Sequence, residues 1–126
     1  MRPATLLLLL PLLAIGAAAP SLAEEASLGK LLGTYTQNVQ CKGDGKDDPK
    51  KVVKVSEAQV DSNFGPCVMS DKKWDGNTFK ANANCKAKSG SDIDIQVAFT
   101  VKDESTVDFL EESSQYKSVL YRCPGK

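Results

Sequence analysis

Asp92-Ile93-Asp94-Ile95-Gln96-Val97-Ala98-Phe99-Thr100-Val101-Lys102 is the stretch that decides how this chain folds. Ile93, Ile95, Val97, Phe99 and Val101 point one way, and Asp92, Asp94, Gln96, Thr100 and Lys102 point the other. A two-residue period of this kind is that of an extended strand with one face in a core and one in water.

The same rhythm continues on both sides. Upstream, Ser89-Gly90-Ser91 turns the chain into a strand with Phe79, Ala81, Ala83, Cys85 and Ala87 inward and Lys80, Asn82, Asn84, Lys86 and Lys88 outward. Before it, Asp75-Gly76-Asn77 is a hairpin signal, because these residues tolerate the positive φ that tight turns require. A strand near Phe64 to Ser70 carries Cys67 and Met69 on one face and follows a turn over Gln59 to Asn63. Earlier still come a strand from Lys51 to Ser56, a loop over 42–49 dense in turn residues, and a strand from Thr34 to Cys41. Downstream, Val107 and Phe109 mark a sixth strand and Tyr116 to Cys123 a seventh.

About seven short strands, with turns between them and no helical period, predict an all-β antiparallel meander. Such a sheet has an apolar face to cover and two edges to close, so the expectation is a small barrel, with a β-sandwich as the alternative. A barrel of this size is one that side chains can just fill, so a filled interior is expected; the small residues Ala81, Ala83 and Ala87 leave a pocket as the second reading.

The first residues do not belong to the sheet. Met1-Arg2-Pro3 precedes an apolar run from Leu6 to Ala19, broken by Pro11 and Gly16, and Ser21 and Ala23 stand at positions minus three and minus one of a cleavage site. This is the pattern of a secretory signal peptide over 1–23. The apolar run falls short of the ~20 residues a membrane span needs, so no transmembrane segment is expected after cleavage. Removing 23 of 126 residues leaves 103, read as a leader over 24–33 and one disulfide-bonded β-domain over 34–126.

Cys41, Cys67, Cys85 and Cys123 all follow the predicted cleavage site. An even count in a small exported chain favours two disulfides, and separations of 26, 18 and 38 residues lack the close pairs of a zinc site. Three pairings are formally open. If Asp75-Gly76-Asn77 is a three-residue loop, Cys67 faces Cys85. In a meander with an odd number of strands the ends of the first and last emerge at one rim, which would join Cys41 to Cys123.

Sixteen basic and sixteen acidic side chains cancel, which removes the electrostatic case for nucleic acid as a partner. The chain has no histidine, so nucleophile arrangements built on His are excluded. The carboxylate pairs Asp92 and Asp94, Asp103 and Glu104, and Glu111 and Glu112 fall on exposed strand faces and turns rather than across a cleft. Gly43-Asp44-Gly45-Lys46-Asp47-Asp48 holds three carboxylates but lacks the spacing and closing Glu of a calcium loop. No catalytic residue, metal or cofactor is therefore expected, and the chain reads as no enzyme. Trp74 with Asp75 at a turn, and Tyr116 and Tyr121 on opposite faces of the last strand, are the candidate partner-binding residues.

Gly33-x-Tyr35, Cys41, Cys67, Asp75-Gly76-Asn77, Cys85 and Tyr121-Arg122-Cys123-Pro124 together resemble a group of small exported proteins from alpha-proteobacteria, over about residues 33 to 124. Those proteins pair a signal peptide with a four-cysteine all-β domain ending in an aromatic-Arg-Cys pattern. The resemblance implies periplasmic or secreted placement and no activity. The architecture is also similar to that of periplasmic lysozyme inhibitors, although the chain lacks the Ser-Gly-x-x-Tyr segment of one such family. Three functions follow as expectations: binding of a protein or cell-envelope component, carriage of a small apolar ligand inside the barrel, and inhibition of a hydrolase such as lysozyme.

Overall fold

The computed structural model describes residues 27–124, and in it the sheet closes completely. Eight antiparallel strands follow one another around a barrel: β1 Gly33–Gln37, β2 Val52–Val55, β3 Gln59–Ser62, β4 Gly65–Asp75, β5 Thr78–Lys86, β6 Asp92–Val101, β7 Thr106–Glu111 and β8 Tyr116–Arg122. β8 pairs back onto β1, with Tyr35 opposite Arg122 and Gln37 opposite Leu120. Closure removes both edges, and the barrel expectation holds against the sandwich. The expected signal peptide over 1–23 and the start of the leader lie outside the described residues.

The strand count differs from the seven expected because Gln59–Ser62, read from sequence as a turn, is β3, paired to β2 and β4. Four residues with Val60 as the one strongly apolar side chain give too short an alternation to separate from a turn, and pairing on both sides supplies what the pattern lacks.

The β4–β5 hairpin also differs from its expected form, yet with the same result for the cysteines. Asp75 pairs with Thr78, so the loop is the two residues Gly76 and Asn77, with Gly76 at φ +64°. Between Ser70 and Lys73 the register shifts by one, at a bulge containing Asp71 at φ 52°. The shorter loop and the extra bulge residue cancel, and Cys67 lies opposite Cys85. Their bridge forms, as does Cys41–Cys123.

Eight strands place the ends of β1 and β8 at opposite rims, so the rim argument for Cys41–Cys123 fails although the pairing is correct. β1 stops at Gln37 instead of running on to Cys41. Asn38 takes φ 62°, its backbone N–H donates to Val119 O (2.7 Å), and its side-chain oxygen accepts from Val119 N–H (2.9 Å). From there the chain doubles back over the outside of β1 to reach Cys123, whose N–H donates to Thr34 O. The returning loop covers Thr36, which is buried on the outer face with its hydroxyl donating to Val39 O.

One end of the barrel is shut by Ser27 to Leu32, which forms a single 3-10 turn at Gly29–Leu31. Leu28 and Leu31 are 0% exposed and belong to the core with Tyr35, Phe79 and Val107. Four side chains seat this plug. Trp74 Nε1 donates to Ser27 O (2.9 Å), and the Tyr35 hydroxyl donates to Leu31 O (2.8 Å). Glu57 accepts from the Ser27 hydroxyl and the Leu28 N–H, and Arg122 donates to the carbonyls of Lys30 and Leu32. Gly33 makes room for this arrangement, since a Cβ there, at φ +148°, would lie 2.8 Å from Arg122 Nη1.

Outside, polar side chains pair across strands: Asn84 with Asp94 (2.8 Å), Asn82 with Asp71 (2.7 Å), and the hydroxyls of Thr78 and Thr100 (2.9 Å). The alternation read from β5 and β6 is thus realised as a wet outer wall and an apolar inner one.

Candidate ligand-binding cavity

Inward-facing side chains are not equally buried along the barrel axis. Near the plugged end Tyr35, Phe79, Phe99 and Val107 are buried, whereas toward the other end Val60, Ile93, Ile95 and Phe109 point inward and remain only half-buried. The cause is a cavity of about 620 Å³ running from the middle of the barrel to the unplugged rim. The expected filled interior is corrected accordingly. Eight strands enclose enough width for either a packed core or one small ligand, and Ala83 and Ser118 put short side chains where a packed core would have long ones.

The wall has two chemistries. β4, β5 and β6 contribute Met69, Ala83, Ile93, Ile95 and Val97, along with Cys67 of a disulfide, and these are apolar. On the β1, β7 and β8 side Gln37, Glu111, Ser114, Tyr116 and Ser118 stand among the apolar Phe109 and Leu120. Gln37 Nε2 donates to the Tyr116 hydroxyl (2.9 Å) across the β1–β8 seam. Glu111 accepts from the hydroxyls and backbone N–H groups of Ser113 and Ser114. The Ser113 hydroxyl first, then that of Ser114, hold its carboxyl below the usual glutamate range, so it is ionised at neutral pH. Lys50, just before β2, completes that side of the mouth.

Two aromatic rings stand at the lip. Phe64, in the β3–β4 turn, is 47% exposed, and Tyr116, at the start of β8, is 50% exposed. The chain can bring Phe64 there because Gly65, at φ +131°, lets the start of β4 pass against Lys86; a Cβ at that position would lie 2.3 Å from Lys86 O.

The residues singled out from sequence are distributed over three places. Tyr116 is at the mouth. Trp74 is at the opposite end, half-buried, edge-on to Phe79 (centroids 5.2 Å apart) with the Lys30 ammonium over its ring, and Asp75 beside it is exposed. Tyr121 is half-buried on the outside of β8, the face opposite to Tyr116. Phe64, Gln37, Lys50 and Ser118 were not read as site residues. Phe64 had a signal, an aromatic residue inside a turn between Asn63 and Gly65, and so did Ser118, a hydroxyl at an inward position between Tyr116 and Leu120.

Of the acidic groups weighed for catalysis or calcium, Asp92, Asp94, Asp103, Glu111 and the three loop aspartates are engaged locally. Asp92 pairs with Lys86 (3.1 Å) and Asp94 accepts from Asn84, both on the outer face of β6. Asp103 caps its own turn at Ser105 N–H. In the 42–49 loop, Asp47 accepts from the N–H groups of Lys42 and Gly43, Asp44 from that of Lys46, and Asp48 from that of Lys50. Among the described residues the one group close enough to share an ion is Cys41, Asp47 and Cys123, and both sulfurs are committed to a disulfide.

No helix among the described residues is long and apolar enough to cross a membrane. Compared with protein-family models, with curated proteins and with solved structures, the chain matches none.

Proposed function

We propose that this protein is a non-enzymatic carrier that takes a small apolar ligand into its barrel through the mouth framed by Phe64 and Tyr116. The observation that supports it is the cavity of about 620 Å³, walled by Met, Ile, Val and Phe side chains and sealed at the far end by Leu28 and Leu31. That volume is in the range of small-molecule sites, and apolar walls with a few polar groups are their usual chemistry. The two disulfides fit an oxidising compartment, which supports reading the carrier as one that works outside the cytoplasm, in the periplasm or secreted.

A second reading rests on the exposed rings of Phe64 and Tyr116. Aromatic residues at a rim suit contact with a protein or envelope component, a hydrolase included, that delivers or receives the ligand.

The test is native mass spectrometry of the protein purified from its own host, together with titration by an apolar fluorescent probe. A retained small mass, or saturable one-to-one probe binding that Ala83→Leu weakens at least tenfold, is expected. If no mass is retained and the probe binds equally to wild type and Ala83→Leu, the cavity is not a binding site.

A further inference from the structure

Among the described residues one buried side-chain polar atom has no hydrogen-bond partner, Ser118 Oγ, and Ser118 is one of the residues that line the cavity. Ser118 is 5% exposed, sits on β8 opposite Phe109, and is flanked along its strand face by Leu120 toward the plug and Tyr116 toward the mouth. An unmet buried hydroxyl is a cost to the empty barrel, and an apolar residue of similar size would relieve it.

Resting on the carrier reading, we infer that the ligand is an amphiphile rather than a pure hydrocarbon, with a neutral oxygen group, a hydroxyl or carbonyl, that hydrogen-bonds Ser118 while its apolar body lies against the β4–β6 wall. A hydroxyl serves either case, since Ser118 can donate to a carbonyl or exchange bonds with an alcohol. The polarity of the opposite walls sets the orientation. The β4–β6 side, Met69, Ala83, Ile95 and Val97, offers no hydrogen bond to a ligand's polar atom, whereas across the barrel Ser118, set between the apolar Phe109 and Leu120 and next to Tyr116, offers one. Charge is disfavoured for the group at Ser118. The Glu111–Tyr116 pair is the next inward-facing pair toward the mouth, so a ligand carboxylate there would have an ionised Glu111 beside it, whereas the cation on this side of the mouth, Lys50, precedes β2, two strands from β8. A ligand ammonium would find that carboxylate already bonded to Ser113 and Ser114, and burying an unpaired charge is far costlier than burying a neutral group.

A matched pair of probes, 2-naphthol and naphthalene, tests this because they share an apolar body and differ by one hydroxyl. Wild type and Ser118→Ala are titrated with both by fluorescence, and the affinity ratio of naphthol to naphthalene is compared. Ser118→Ala is expected to lower that ratio about three- to tenfold, the range of one neutral hydrogen bond, while leaving naphthalene binding equal or tighter. Its thermal midpoint should match or exceed that of wild type, so misfolding does not confuse the reading. Both probes binding with the same ratio in the two proteins overturns the role of Ser118 and leaves the carrier reading standing. Failure of both probes to bind wild type overturns the carrier reading and this inference with it.

Discussion

The Arg122 guanidinium lies over the Tyr35 ring, 4.9 Å from its centroid, and from there donates to the carbonyls of Lys30 at 2.6 Å and Leu32 at 2.9 Å. One side chain at the end of the last strand thus stacks on the first strand and holds the plug. A lysine has the charge but not the planar fork that makes both bonds and the stack. Arg122→Lys should lower stability by about 1 to 3 kcal/mol in urea unfolding, and Gly33→Ala should act in the same direction because its new Cβ meets Nη1. Unchanged unfolding midpoints in both would show that Arg122 adds nothing to the seating of the plug.

Leu31 is fully buried at the sealed end. Leu31→Ala should cost about 2 to 5 kcal/mol, the loss of a buried side chain plus the void it leaves. Differential scanning calorimetry checks this, and a loss below about 1 kcal/mol would mean the turn is peripheral to the core.

The two bridges close loops of different length, 82 residues for Cys41–Cys123 and 18 for Cys67–Cys85. Each should stabilise the fold by about 2 to 4 kcal/mol, and on the chain-entropy account the longer loop should contribute about 1.3 kcal/mol more. Urea unfolding of the two double-alanine variants compares them directly. A larger loss on removing Cys67–Cys85 would put packing in the cavity wall above loop entropy.

Three carboxyls are held below their ordinary range by hydrogen bonds: Glu57 by the Ser27 hydroxyl and then the Leu28 N–H, Asp103 by the N–H and hydroxyl of Ser105, and Glu111 by the Ser113 and Ser114 hydroxyls. The folded chain therefore takes up these protons less readily than the unfolded one. Their stabilisation is complete above the ordinary carboxylate range and is lost as pH falls through the lowered values. Thermal midpoints should decline steadily in acid, and Glu57→Gln should show a shallower decline. An acid limb of the same slope in that variant would remove Glu57 from the account.

The alternation in β5 and β6 was legible because each strand has four or more inward apolar residues in unbroken rhythm, which leaves one register. β3 was not, since Gln59 to Ser62 becomes a strand only through partners on both sides. The Cys67–Cys85 register emerged from two errors of opposite sign, a loop one residue shorter than read and a bulge at Asp71 that adds one back. Asn38 hid the end of β1, because a polar residue at an outward strand position looks the same whether or not it turns the chain. The cavity was hidden for another reason: whether small inner side chains leave a void depends on what stands opposite, and only closure of the barrel fixes that.

Because the plug and the Cys123–Pro124 segment both sit at the sealed end, the described chain enters and leaves the barrel on the side away from its mouth. A tether or support joined at Ser27 or Pro124 would hold the molecule base-down, with its entrance turned to the medium. For binding work, attachment at Ser27 or Pro124 therefore leaves the aromatic lip at the opposite end of the described barrel.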